Sequence, residues 1–368
     1  MLEQFHVPEQ DAVRVNEDSL RNMVVSLFEK VGVPSDDATL GADALVTADL
    51  RGVDSHGISN MLRYYIAGFN NRDINTNPTV KTVRESLATA TLDCDGGLGI
   101  IIAPKAMDIA IDKARHTVMG MVTMRNGRHL GMASYHAMKA LKHDMIGVCM
   151  TAVGPAVVPT FGREPRLGTN PIAVAVPAGN QHPFVLDFAT SVVPVNKMRL
   201  AERIGSSIPG GWVADTTGTP IMQEGPAPEY APGQLNLLPL GSNREGGSHK
   251  GYGLAGLVEI LCGILSGGGF AGMGGQRGDS RHMVAAYSID AFSPVDEFKE
   301  MMDEWMEYLK ATPPAEGHER VLVPGQPEYE AETDRRAKGI PLHKEVIQWF
   351  RDISQELEVP YTLEPTIS

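Results

Sequence analysis

Two short polar runs each carry a histidine among glycines: Arg51-Gly52-Val53-Asp54-Ser55-His56-Gly57 and Asn126-Gly127-Arg128-His129-Leu130-Gly131-Met132-Ala133. Imidazole changes charge near neutral pH, so His56 and His129 are natural carriers for general acid–base chemistry. Ser55 can hydrogen-bond in the His56 region or cap the helix that follows, and the run reads equally as a capping turn with a surface histidine. His129, His136 and His143 recur at a spacing of seven. Two helical turns set such neighbours roughly 10 Å apart, too far for two ligands of one zinc ion, so this spacing does not describe a metal site. A Ser-His hydrolase would need Ser55 as nucleophile with a base brought up by the fold, and no GxSxG run is present.

Three further clusters suit a nucleotide. The run ending at Ala133 follows a strand pattern and opens a helix with small residues, where outward backbone N–H groups and the helix dipole favour a phosphate. Arg128 and His129 add positive or donor character there. In Gly246-Gly247-Ser248-His249-Lys250-Gly251-Tyr252-Gly253 a lysine stands at the start of an apolar helix. The dipole opposes it unless an anion sits nearby, the alternative being a solvated loop lysine. Asp187, in Phe184-Val185-Leu186-Asp187-Phe188-Ala189, ends a strand pattern, where a carboxylate can accept from ribose hydroxyls or simply cap a turn. By contrast, Gly267-Gly268-Gly269-Phe270-Ala271-Gly272 fits GxGxxG but follows a helix and precedes more glycines, so it reads as a loop. Two anion-suited helix starts, a ribose-type carboxylate and two proton carriers are the parts of a dinucleotide hydride-transfer enzyme.

The elements that must position these groups follow from periodicity. The first 70 residues read as helical, with Ser35 as N-cap of a helix ending near Gly52 and a second helix from Ile58 to Phe69. Strands are expected at 88–95, 119–126, 146–153, 171–178, 183–189 and 282–290, and helices at 103–117, 132–143, 196–204, 251–266, 294–311 and 341–356. Without a clean βαβ alternation, the pattern predicts an irregular α/β sheet rather than a doubly wound one. Residues 205–250 are rich in Gly and Pro with little periodicity and read as one long loop.

At 368 residues the chain exceeds the usual size of a single core, so two domains are expected. A net charge of -13 argues against nucleic acid or an anionic membrane as partner. Cys94, Cys149 and Cys262 are odd in number and far apart, which fits a reducing compartment. The first residues lack the apolar core of a signal peptide, and no run approaches 18 apolar residues, so a cytoplasmic protein is expected.

The order RGVDSHGI, NGRHLG, LGTNPIAVAVPA, LDFATS, HKGYGL and VLVPGQ resembles the malate/L-lactate dehydrogenase family, with its sulfolactate and ureidoglycolate dehydrogenases and cyclic-imine reductases, from about residue 10 to 355. The resemblance implies a homodimer with a non-Rossmann, mixed-sheet NAD(P)-binding domain (81–311) and a helical domain formed from both chain ends (1–80 and 312–368). It places Ser55 and His56 in the catalytic pocket and matches His129 to a proton acceptor. His129, Leu130, Gly131, Met132, Ala133, Asp187, Phe188, Ala189 and Lys250 match cofactor-binding positions, and Thr169 a substrate-side position. Many members hold the substrate carboxylate with an arginine four residues after the SHG histidine. Here that position is Asn60, and Arg63, three residues further on, is the expected substitute. Lys197 matches the hydroxyacid dehydrogenases rather than the imine reductases, which carry an acid there. The expectation is therefore hydride transfer between NAD or NADP and a malate- or lactate-like 2-hydroxyacid, with His129 or His56 as base. An NADPH-dependent cyclic imino acid reductase is the alternative, as is a non-catalytic NAD(P)-binding homologue, for which Asn60 speaks.

Overall fold

The computed structural model describes residues 7–227, 236–273 and 279–365. A short strand β1 (Ala12–Val15) leads into α1 (Glu17–Lys30), α2 (Ser35–Leu50) and α3 (Ile58–Asn70). Asn16 caps α1 by accepting from the N–H groups of Asp18 and Ser19. Ser35 is not the N-cap of α2: Pro34 holds that position and Ser35 is already helical, leaving Asp36 and Asp37 to complement the first turn.

Next come β2 (Lys81–Glu85), β3 (Thr89–Asp93), α4 (Gly99–Thr117), β4 (Met119–Gly127), the short α5 (Ala133–Met138), β5 (Met145–Ala152), β6 (Ile172–Val176), β7 (Phe184–Phe188) and α6 (Val195–Arg203). The segment expected as one long loop is not structureless. It holds four two-residue strands, β8 (Ser207–Ile208), β9 (Val213–Ala214), β10 (Gly225–Pro226) and β11 (Asn236–Leu237). Trp212, Val213 and Leu237 there bury against Val157 and Met198. After α7 (Ser248–Val258), which continues as a π-helical turn, come β12 (Ser280–Ser288), α8 (Val295–Lys310), α9 (Gln326–Lys338), β13 (Ile340–His343) and α10 (Lys344–Glu356). The glycine run 267–272 follows that helix as turn and loop.

Seven strands form one mixed sheet in the order β2-β3-β4-β12-β5-β6-β7. Every neighbouring pair is antiparallel except β3/β4, whose parallel pairing is spanned by the α4 crossover. Alternation along the strands buries both faces. Val122, Met124, Val284 and Ala286 meet the inner stripes of α4 and α5, while Met283, Ala285 and Val148 meet Val258 and Cys262. A separate apolar cluster joins the two ends of the chain: Leu20, Phe28, Leu45, Leu62 and Tyr65 pack with Ile340, Phe350 and Ile353, and the start of α4 contributes Ile100 and Ile101. β1 and β13 close this layer as an antiparallel pair, Ala12 opposite His343 through Val15 opposite Ile340. Among the described residues no helix is long and apolar enough to cross a membrane.

Candidate active site

The loop from Arg51 to Gly57 joins α2 to α3 and is fixed by buried charge. Asp49, in the last turn of α2, accepts from the Ile58 N–H at 2.7 Å and so caps α3. Gly57 is required, because a Cβ there would lie 2.0 Å from a carboxylate oxygen of Asp49. Arg335 reaches in from α9, donating to Asp54 at 2.6 and 3.2 Å and to the Asp49 carbonyl. Burial, with Asp54 close by, pushes the Asp49 carboxyl up to about 8. Held this way, the buried Ser55 places its Oγ 2.9 Å from His56 Nδ1.

His129 arrives from the other side, two residues beyond β4. Arg128 is buried and turned away from any ligand: its guanidinium donates to the carbonyls of Asp73 at 2.7 Å and Gly127 at 3.0 Å, with Asp279 at 3.7 Å. The carbonyl of Arg128 is held in turn by buried His282, whose Nε2 lies 3.1 Å away while its Nδ1 meets the Thr151 hydroxyl at 2.8 Å. His129 and His56 stack with ring centroids 5.7 Å apart and planes 11° from parallel. Burial lowers His56 to about 4; burial, then the proximity of His56 and His282, lowers His129 to about 3. Both rings are therefore neutral at pH 7.

The two rings differ in which nitrogen holds the proton. Gly131 N–H donates to His129 Nδ1 at 3.2 Å, and the Tyr65 hydroxyl lies 2.8 Å from the same atom. A backbone N–H can only donate, so neutral His129 carries its hydrogen on Nε2. The Nδ1 partner of His56 is a hydroxyl, which can accept as readily as donate, so His56 can leave Nε2 bare. One imidazole thus offers a donor and its neighbour can offer a lone pair.

Two cavities meet at these rings. The first, about 670 Å³, is lined by His56, Asn60, Tyr64, His129, Thr151, Thr169, Arg199 and Arg281, among others. The second, about 590 Å³, is lined by Ser55, His56, Gly131, Met132, Ala133, Thr169, Asp187, Phe188, Ala189, Lys197, Val323, Gly325 and Glu328, among others. His56, Gly131, Thr169, Pro171 and Pro194 border both. Each volume is that of a small-molecule site. Desolvation by the surrounding protein raises Asp187, which still opens onto the cavity, to about 6 and lowers the Lys197 ammonium.

The fold thus gathers Ser55, His56, Asn60, His129, Gly131, Met132, Ala133, Thr169, Asp187, Phe188, Ala189 and Lys197 around one cleft. Four expectations need correction. Arg63 is exposed on the outer side of α3, its guanidinium 5.0 Å over the Trp349 ring, and it lines neither cavity. Leu130 is buried in the core beneath the sheet and borders neither cavity, although its carbonyl meets His136 Nε2 at 2.8 Å. Lys250 is exposed in the first turn of α7, outside both linings. The helix start at Ala133 is not open to a phosphate in the way the sequence implies, because the Ser134 N–H already donates to Asp187 at 2.7 Å. Sequence reasoning passed over Tyr65, Thr151, Arg199, His282 and Glu328. Only Tyr65 left a local signal, lying on the α3 stripe of Ile58, Met61 and Leu62.

Two adjoining cavities with neutral imidazoles beside them suit an enzyme that moves a proton between bound small molecules. The malate/L-lactate dehydrogenase family model matches residues 15–351, and the chain belongs to that family. It is 40% identical over 366 residues to a malate dehydrogenase of Pyrococcus abyssi, covering 98% of this chain and 99% of that protein. To an L-sulfolactate dehydrogenase of Methanocaldococcus jannaschii it is 37% identical over 344 residues, covering 92% and 95%. The solved malate dehydrogenase of Pyrococcus horikoshii OT3 superposes with a TM-score of 0.88 at 36% identity, covering 96% of this chain and 98% of that one. The chain is accordingly a dehydrogenase acting on a CH–OH donor, built on a mixed sheet.

Proposed function

We propose that the protein transfers hydride between C2 of a 2-hydroxyacid, malate- or lactate-like, and NAD or NADP seated in the second cavity. The observation that carries this reading is the junction of the two cavities at His56, whose ring stacks on His129 at the wall of the first. When bound there, the nicotinamide supplies the carbon that accepts or returns the hydride. Asp187, Phe188 and Ala189 with Gly131, Met132 and Ala133 form the wall that would hold it, the Asp187 carboxylate being an acceptor suited to ribose hydroxyls. Lys197 and Thr169 border the same space, and Thr169 also faces the substrate side. In oxidation, His56 takes the hydroxyl proton on Nε2, with Ser55 accepting from its Nδ1–H. His129 donates its Nε2–H to the same substrate oxygen and steadies it as it becomes a carbonyl. In reduction both transfers reverse.

The imino acid reductase alternative is not favoured by the relatives named above, which are hydroxyacid dehydrogenases. Retention of both histidines in the cleft speaks against a non-catalytic homologue. The terminal-helix unit (1–80 and 312–368) and the central unit (81–311) are the proposed domains, supported by their largely separate apolar clusters. A cytoplasmic location, consistent with three free and buried cysteines, completes the proposal. So does a homodimer, which rests on the family resemblance and which light scattering at micromolar concentration tests. The decisive experiment is a panel of 2-oxo and 2-hydroxy acids assayed with NADH, NADPH, NAD and NADP at 340 nm. Turnover of at least one acid pair is expected, and none with any cofactor would remove the reading.

A further inference from the structure

Among the described residues, two arginines line the first cavity, and one of them lacks a counter-charge. Arg281 is nearly buried, paired with Asp279 at 3.0 Å and donating to the Gly268 carbonyl at 2.8 Å. Arg199, on α6, lines the cavity with no hydrogen bond or ion pair among the described residues. One turn further along the same face, Arg203 donates to Asn60 Oδ1 at 3.0 Å and approaches the Ser59 carbonyl at 3.4 Å. Like charges four residues apart on a helix repel. Arg203 is itself exposed, with Glu345 the carboxylate acting on it. Asn60 is itself fixed, its amide N–H donating to the Asp54 carbonyl at 2.7 Å. Asn60, which also lines the cavity, thus anchors the second guanidinium behind Arg199. With His56 and His129 neutral, Arg199 is, among the described residues, the unneutralised cation at the wall of this cavity.

We infer that Arg199 binds the carboxylate of the acid substrate, with Arg203, held on Asn60, reinforcing the positive field, and that α6 rather than α3 supplies the clamp. This rests on the dehydrogenase reading above. The test is steady-state reduction of oxaloacetate and pyruvate by the wild type and by R199A, R199K and R63A, alongside cofactor Kd and Tm. R199A should raise KM for the acid that the wild type uses best by about 10- to 100-fold, as loss of a charge-assisted bond does, while cofactor Kd and Tm stay at wild-type values. R199K should recover part of the loss, and R63A should behave as wild type. Should R199A prove insoluble, R199Q, close in length, gives the same readings. An unchanged KM in R199A overturns the inference, as does a KM rise accompanied by equal losses in cofactor affinity and Tm, which would mark a packing role. If the wild type reduces neither these acids nor any other of the panel, the dehydrogenase reading itself fails.

Discussion

The difference between the two histidines resides in single atoms. The Gly131 N–H fixes the tautomer of His129, whereas the Ser55 hydroxyl leaves His56 free to choose. Glutamine keeps an N–H donor but cannot take a proton at neutral pH. His129→Gln should therefore retain more activity than His129→Ala, while His56→Gln should fall as far as His56→Ala, by roughly 10²–10⁴-fold in kcat. The measurement is kcat for each of the four variants at saturating cofactor, with cofactor affinity determined separately. Equal losses in both His129 variants would show that its donor role is misassigned. Both histidines were legible in the sequence, because each stands in a short glycine-flanked run. Arg63 misled for a geometric reason. A residue three positions along a helix lies about 60° from the first, and one four positions along lies about 40° away on the opposite side. That offset turns Arg63 onto Trp349 and gives the cavity to Tyr64. Tyr65 meets His129 directly, and Thr151 and His282 hold the neighbouring Arg128 carbonyl, from segments that no local pattern ties to it.

At the scale of elements, the six expected strands of the sheet were legible because β-branched and small apolar residues alternate between two buried faces. α9 escaped notice for the opposite reason. It is polar throughout, and only Gln326 and Arg335 on it are buried. What holds it is not an apolar stripe but the fork of Arg335 over Asp54. β13 was absorbed into the expected terminal helix, since four residues set too short a period to separate from it. Arg335→Met should leave the Asp54 carboxylate buried without its cation and the Asp49 carbonyl without its donor, at a cost of roughly 3–5 kcal/mol. Urea unfolding at pH 7 reads this directly, and a change below about 1 kcal/mol would mean that the Asp54 carboxylate finds water instead. Because the same pair fixes the loop before Ser55 and His56, kcat should fall in this variant even at temperatures where it remains folded.

The molecule as a whole carries opposing proton linkages. Four imidazoles, His136 and His282 fully buried and His56 and His129 half-buried at the cavity wall, are lowered to about 4, 3, 4 and 3 in the order His56, His129, His136 and His282 from an ordinary 6.5. The unfolded chain protonates them as pH falls below 6.5, but the folded chain does not, so they draw stability away between pH 6.5 and about 4. Asp49, raised to about 8, and Asp187, raised to about 6, act in reverse, since the folded chain keeps protons there that the unfolded chain has released. Around pH 5 the four histidines outnumber the two carboxyls, so Tm should drop between pH 6.5 and 4.5. Above pH 7 the residual effect of Asp49 has the opposite sign, a mild loss towards pH 8. A calorimetric pH series checks both limbs, and a Tm that rises on acidification to pH 5 would contradict the burial of the histidines. The pairing of β1 with β13 has a further consequence, this time for biosynthesis. Val15 meets Ile340 across 325 positions of chain, and the loop bearing His56 waits for Arg335. While the ribosome is still making the last tenth of the protein, the helices of the first seventy residues lack the Ile340, Phe350 and Ile353 side of their apolar layer and the histidine loop its clamp. The nascent chain must therefore carry an unfinished N-terminal layer, open to chaperones, until synthesis is nearly over.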